Sequence, residues 1–342
     1  MEKIQAALKE IAEQFSDTRE QLLEVEIESF EGEKLVLKGR VLDDATLSAL
    51  RNAVQDAGPE LNVNTEAVRV LRQPDNTILT VNTNLTGFYD GPSHLAEHLS
   101  EQMYGWQLEV LFEEQVRGDI WSFVRQQDGY MGWVYKPYMR EEPPMPPTHL
   151  AMTPVEQLRS APEADAVPVG RLLGGMSVAV LDVDGEWAKV DSDHPGWVPL
   201  SGLRAFDEIP QSEEERRAAV LADVVPMIGV PYKWGGCSGN GIDCSGLAQL
   251  LHRWVGITTR RDAGMQFVDG KQIEPPFAPG DLVFFGDPEK PQEQRSITHV
   301  GISVGGWKIV HSSRGRNGVY YDDIQEVEYL RKAYKCACTY IG

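Results

Sequence analysis

The sequence predicts a multidomain α+β protein built from four modules in series. Three observations carry that reading. Residues 206–342 combine a Gly-rich loop, an apolar helix opening at Asp243-Cys244-Ser245-Gly246, and a later β-hairpin with a histidine at the far end of each arm. Residues 78–140 and 149–205 are two stretches of short strands whose Trp and Gly positions recur. Residues 1–72 alternate helix and strand, and 342 residues exceed one ordinary domain.

The composition narrows the function classes. With 42% hydrophobic and 25% charged residues, the chain is ordinary globular material. No apolar run approaches the about 20 residues of a membrane span. The start, MEKIQAALKEIAEQF, alternates charge with apolar residues and lacks the apolar centre of a signal peptide. A cytoplasmic location is therefore expected, or export if a signal was removed. A net charge of −20 without a basic block makes nucleic acid and anionic membranes poor partners. The four cysteines, Cys237, Cys244, Cys336 and Cys338, form no disulfide framework, and their spacing is unusual for zinc. No metal and no cofactor are expected.

In chain order, Lys3 to Phe15 has helical periodicity, and Leu22 to Phe30 and Lys34 to Leu42 alternate as strands around Glu31-Gly32-Glu33. A helix runs from Asp43-Asp44 to about Ala57, followed by a strand from Val63 to Leu71. This order resembles small α/β BON-like modules and carries no catalytic constellation. A binding or packing accessory is the favoured reading for residues 1–72.

Segments 78–140 and 149–205 repeat each other. Met103-Tyr104-Gly105-Trp106 matches Leu172-Leu173-Gly174-Gly175, the strand around Trp121 matches the strand around Trp187, and Gly132-Trp133-Val134 matches Gly196-Trp197-Val198. Two copies of one small β-barrel follow. The Gly-Trp-Val close resembles bacterial SH3-like domains. The Pro-rich linker Glu141 to Pro147 between them should be stiff.

Beyond them, Val220 to Ile228 reads as a helix that Pro226 kinks. The loop from Gly229 then turns at Asp243-Cys244 into the apolar run Leu247, Leu250, Leu251, Trp254, which Gly256 ends. Cys244 thus falls in the first turn of a buried helix. Unpaired amides and the helix dipole there favour a thiolate. A buried structural cysteine is the alternative, and position alone does not separate the two. Downstream, His299 to Val304 and Trp307 to Ser312 form a hairpin around Gly305-Gly306. A two-residue turn would put His299 and His311 on opposite faces, so a joint role requires a three-residue turn or a bulge.

A cysteine on a helix, a histidine on a strand and a polar residue beside it form the nucleophile–base–orienter set of cysteine hydrolases. The DCSG turn, the HVGIS strand and the IVHSS strand resemble the NlpC-type papain-like peptidases of bacterial cell-wall metabolism. So do Pro231 to Gly236, Arg261-Asp262 and Pro279 to Phe285. The resemblance covers about the last third of the chain. It implies Cys244 as nucleophile, His299 as general base and His311 as its orienter, with the Cys244 amide and the Tyr232 hydroxyl at the oxyanion. Tyr232 and Trp234 serve equally well as wall aromatics.

Two barrels before such a domain resemble the γ-D-glutamyl-L-diamino acid endopeptidases, which cut wall stem peptides carrying a free N-terminal L-Ala. That resemblance implies an ammonium pocket of Asp243, Ser245 and Asp262, with Tyr130 reaching in from the first barrel and Glu101 adding a carboxylate. Ala263 departs from the Ser that related sequences often carry, leaving one substrate hydrogen bond in doubt. The expected fold is thus a papain-like NlpC-type domain at 206–342 behind barrels at 78–140 and 149–205 and the α/β module at 1–72. The expected partner is a small muropeptide, L-Ala-γ-D-Glu-diamino acid, met during cell-wall recycling. The rivals are an exported wall hydrolase with wall-binding barrels and a non-catalytic wall-peptide binding protein.

Overall fold

The computed structural model describes residues 1–342, apart from the side chain of Arg295. The chain divides into two units. The first comprises Met1–Ile78 and Leu108–Lys136, the second Leu79–Gln107 and Pro137–Gly342. The division cuts through the 78–140 segment, whose central strands fall with the N-terminal residues.

In the first unit, helices Glu2–Gln14 and Asp44–Ala57 cover a three-stranded sheet of Leu23–Glu31, Lys34–Val41 and Asn62–Val70. The first pair is antiparallel and the second parallel. The crossover helix begins where the Asp43 carboxylate accepts the Thr46 amide at 2.9 Å. Helix residues Ile4, Ile11, Leu50 and Val54 meet strand residues Leu35, Leu37 and Val41. This is the element order that period and capping predict. An antiparallel meander of Gln107–Val116, Asp119–Arg125 and Met131–Tyr135 belongs, from Leu108 on, to the same unit. Leu111 and Met131 join Leu22, Leu42 and Leu71 in one apolar cluster, and the Arg40 guanidinium lies 4.0 Å from the Phe112 ring centre.

In the second unit, Leu85–Tyr89 and His98–Met103 form a hairpin. Residues 149–205 make a five-stranded antiparallel sheet and a three-stranded one. The predicted repeat recurs here with a corrected register. Gly105 and Gly175 both take left-handed φ values, 80° and 88°. The Trp106 amide donates to Met103 and the Met176 amide to Leu173 in the same way. Met103 therefore matches Leu173, one residue beyond the alignment that the glycines alone suggest, because a turn that needs φ > 0 fixes the equivalence.

The remainder is a six-stranded antiparallel sheet with the helix Cys244–Trp254 against it. The strand order is Lys271–Ile273, Tyr334–Thr339, Leu282–Gly286, Ile297–Gly305, Lys308–Ser313, Gly318–Asp323. The helix face of Leu247, Leu250, Leu251 and Trp254 meets Leu282, Phe284, Val300, Ile302 and Val310. The helix expected at Val220 to Ile228 instead spans Glu213–Asp223, started by a reciprocal Ser212–Glu215 cap, and Pro226 sits in a separate 3₁₀ turn. Residues 149–205 also hold the Cys244 helix from behind. The Trp254 indole donates to the Ala151 carbonyl at 2.8 Å, and Arg204 bridges the Trp254 carbonyl to Asp223.

Candidate active site

The loop Gly229–Asp243 delivers Cys244 to the first turn of its helix. Asp243 is the N-cap, and its carboxylate accepts from five donors. Oδ1 takes the Gly246 amide at 2.7 Å, the Ser245 hydroxyl at 3.2 Å and Arg261 Nη1 at 3.1 Å. Oδ2 takes the Gly235 amide at 3.0 Å and Arg261 Nη2 at 2.6 Å. Arg261, 1% exposed, also donates to Ser245 Oγ and Ser100 Oγ. The motif glycine has a steric reason, since a Cβ on Gly246 would lie 2.3 Å from the Gly236 carbonyl. Loop and helix touch through bare backbone there.

Opposite the helix start runs the strand Ile297–Gly305. Its Val300 amide, together with the Ser245 amide, faces the Cys244 sulfur. The hairpin solves its parity with a bulge. Ile302 pairs with Val310 and Ser303 with Ile309, then Gly305 pairs with Lys308, leaving Val304 unmatched. His299 and His311 consequently share a face, with His299 Nε2 at 2.7 Å from His311 Nδ1. His311 Nε2 in turn lies 3.0 Å from Asp322 Oδ2, and Arg316 Nη2 holds the other Asp322 oxygen at 2.5 Å.

Tautomers follow from that file of groups. An ionised carboxylate only accepts, so His311 carries its proton on Nε2 and accepts on Nδ1. His299 must then donate from Nε2, which leaves its Nδ1 lone pair unprotonated. The assignment rests on the hydrogen-bond network. Asp322 thus fixes the direction of both rings, a role absent from the sequence reading. The signal was available. Ser313 pairs with Gly318 across the turn Arg314–Asn317, so His311 pairs with Tyr320. A carboxylate two residues further lies on the same face, diagonally opposite.

The electrostatics overturn one expectation. Burial, and then the Asp243 carboxylate, pushes the Cys244 thiol up to about 12, and the Val300, Ser245 and Arg261 donors do not outweigh them. Burial, and then His311, brings His299 down to about 3. The resting pair is a neutral thiol and a neutral imidazole rather than the thiolate that helix position suggests, because desolvation exceeds the dipole.

The other expected residues divide between the two units. The Tyr232 oxygen lies near Cys244 and Asp243 and accepts from Arg314 Nε at 3.3 Å. Its own hydroxyl proton remains to donate. Trp234 is 52% exposed and donates to Glu97 Oε1 at 3.2 Å. Arg314 lies 5.7 Å from the Tyr232 ring centre and 5.0 Å from that of Trp234. Glu101 is 1% exposed and already accepts from Lys233 Nζ at 2.5 Å, the Cys237 amide at 2.9 Å and Ser238 Oγ at 2.9 Å. Asp262 caps the helix Ala263–Asp269 by backbone position, with no side-chain cap bond. Tyr130 belongs to the first unit, where it is 3% exposed.

Comparison with known proteins bears on this arrangement. Residues 229–338 match the NlpC/P60 family, and residues 155–203 match the bacterial SH3 domain. A γ-D-glutamyl-L-lysine dipeptidyl-peptidase of Bacillus subtilis (strain 168) is 34% identical over 132 residues, which are 38% of this chain and 44% of that one. The bifunctional muramidase/DL-endopeptidase CwlT of the same organism is 40% identical over 108 residues, 31% of each chain. The chain thus spans less than half the length of these relatives. A solved NlpC/P60 family protein from Bacillus cereus ATCC 10987 aligns with TM-score 0.64 and 18% identity, covering 78% of this chain and 100% of that one. The likeness extends in fold well beyond the NlpC/P60 domain itself.

Proposed function

We propose that the chain is a cysteine endopeptidase that hydrolyses the γ-D-glutamyl–diamino acid bond of peptidoglycan stem peptides. Its expected substrates are small soluble stems bearing N-terminal L-Ala, met during cell-wall recycling in the cytoplasm. The observation that carries the reading is the file His299, His311, Asp322 on the sheet whose Val300 amide faces the Cys244 sulfur at a helix start. His299 Nδ1 takes the thiol proton as sulfur attacks the γ-carbonyl carbon. The C–N bond breaks, the diamino acid amine leaves with that proton, and water then hydrolyses the thioester. In this reading Tyr232 O–H and the Cys244 amide donate to the developing oxyanion.

The names of the relatives support this substrate class, and the charge of −20 suits a small diffusible substrate better than retention on an anionic wall. The small barrels and the N-terminal α/β module are read as accessories to that reaction. The test is mass spectrometry of L-Ala-γ-D-Glu-diaminopimelate incubated with the full chain. Release of free diaminopimelate is expected. Cys244→Ala should lose activity by on the order of 10⁴-fold or more with the fold intact. Cleavage that survives in Cys244→Ala, or an intact peptide with the native chain, defeats the proposal. Cell fractionation tests the location separately.

A further inference from the structure

The turn that follows the His311 strand sets an arginine over the loop that delivers Cys244. Arg314 opens that turn, and backbone bonds lace its far side to the start of the loop. Pro231 bridges to Gly318, the Gly229 amide donates to the Val319 carbonyl, and the Val319 amide donates to the Val230 carbonyl. From the strand itself, Ser312 Oγ donates to the Ile242 carbonyl at 2.6 Å. Arg314 is thereby laid against two rings of the loop, Tyr232 and the exposed Trp234. Its Nε donates to the Tyr232 oxygen, which lies near Cys244. The guanidinium is otherwise uncommitted. Among the described residues no carboxylate pairs with Arg314, and no acceptor takes Nη1 or Nη2. By contrast, Arg316 is paired to Asp322 and Arg261 to Asp243.

We propose that Arg314 is a specificity-determining residue whose Nη1–Nη2 fork takes a substrate carboxylate flanking the scissile bond. A planar guanidinium meets a carboxylate through two parallel N–H···O bonds. Tyr232 already uses Nε, so the end-on pair is the one on offer. The two rings hold the guanidinium in place before the acid arrives, so little side-chain freedom is lost on docking. A γ-linked stem offers two such acids. One is the D-Glu α-carboxylate, left free because the chain continues through the γ-carbonyl. The other is the diamino acid α-carboxylate beside the scissile nitrogen. At long range the net charge of −20 favours an amide over either acid, so a preference for the acid isolates this contact. The inference rests on the substrate class proposed above.

The test measures kcat/KM at one ionic strength for L-Ala-γ-D-Glu-diaminopimelate and for two amides of it. One is amidated at the D-Glu α-carboxylate, the other at the diaminopimelate carboxylate beside the scissile nitrogen. The native chain should prefer the free acid to one of the two amides by about tenfold, mainly through KM. Arg314→Gln should bring that ratio within about twofold of unity, and Arg314→Lys, which keeps the charge without the fork, should fall between. The D-Glu amide losing its penalty places the contact on the acyl side, the diaminopimelate amide on the leaving side. Native ratios within about twofold of unity for both amides overturn the proposal. So do equal losses on all three peptides in Arg314→Gln, which would mean that Arg314 only holds Tyr232. Should the native chain cleave none of the peptides, the reaction assigned above fails. The role of Arg314 is then decided by calorimetric binding of the same three peptides to Cys244→Ala and Cys244→Ala/Arg314→Gln. An unchanged ratio of affinities, or no binding of any peptide, overturns it.

Discussion

Asp322 bonds to His311 and not to His299, yet it decides which nitrogen of His299 carries the proton. Its own charge is shared with Arg316 at 2.5 Å, so it supplies direction more than basicity, and burial still holds His311 below the usual histidine value. Asp322→Asn keeps the shape but can donate to His311 Nε2, which reverses both rings. We expect kcat/KM to fall on the order of a hundredfold, with KM little changed and the pH profile displaced. An unchanged profile with a simple loss of thermal stability would mean that Asp322 only holds the strand. The neutral Cys244–His299 pair gives a second outcome. Alkylation of Cys244 by iodoacetamide in the free protein should keep rising with pH beyond about 9, since the thiolate is scarce below its raised pKa. A plateau near neutrality would demonstrate an ion pair instead. Cys244 and both histidines were readable because their spacing is local to a helix start and two strand ends. The upward shift of the thiol pKa was not, because desolvation depends on what covers the sulfur, and Val300 lies 56 residues away in sequence.

At the level of elements, the unmatched Val304 is what lets two strand histidines meet. Deleting Val304 shifts everything before it by one position relative to its partner, turning His299 to the opposite face. Activity should fall by on the order of 10³-fold or more while far-ultraviolet circular dichroism keeps the sheet signature. Retention of a tenth of the native rate would show that parity is not what the bulge provides. The need for an irregular turn was legible from Gly305-Gly306 and two histidines, though not where the extra residue would fall. Ser303 Oγ accepting the Gly305 amide at 3.0 Å marks the place. The repeat was legible through its tryptophans but slipped by one at Gly105 and Gly175. Pattern matching aligns residue types, whereas the fold aligns φ values. Asp243 illustrates a further limit. Its position beside Cys244 suggested substrate binding, and the sequence could not reveal that Gly235, Ser245, Gly246 and Arg261 already use both of its oxygens.

For the whole molecule, three histidines, His252 and His311 buried and His299 half-buried, set a common pH dependence. His252, His299 and His311 are all held below the ordinary histidine value, with burial as the largest cause. The unfolded chain titrates near about 6.5 and so binds more protons than the native one below that pH. Stability therefore rises with pH through this window and is lost as pH falls from about 6.5 towards the His299 value of about 3. The melting temperature should decline steadily from pH 7 to pH 5, and less so in His299→Gln. A flat profile would remove the histidines from the account. The pairing of Glu101 with Lys233 and of Asp243 with Arg261 has a kinetic counterpart. Glu101, Asp243, Lys233 and Arg261 cancel locally, whereas the protein as a whole carries −20. The proposed stem-peptide substrate bears at least as many carboxylates as ammoniums, so the far field repels its approach. Added salt screens that field. Encounter should therefore quicken with ionic strength, raising kcat/KM about two- to threefold between about 20 and about 200 mM salt. A fall over that range would instead make the Arg314 guanidinium above the Tyr232 and Trp234 rings the feature that draws the substrate in.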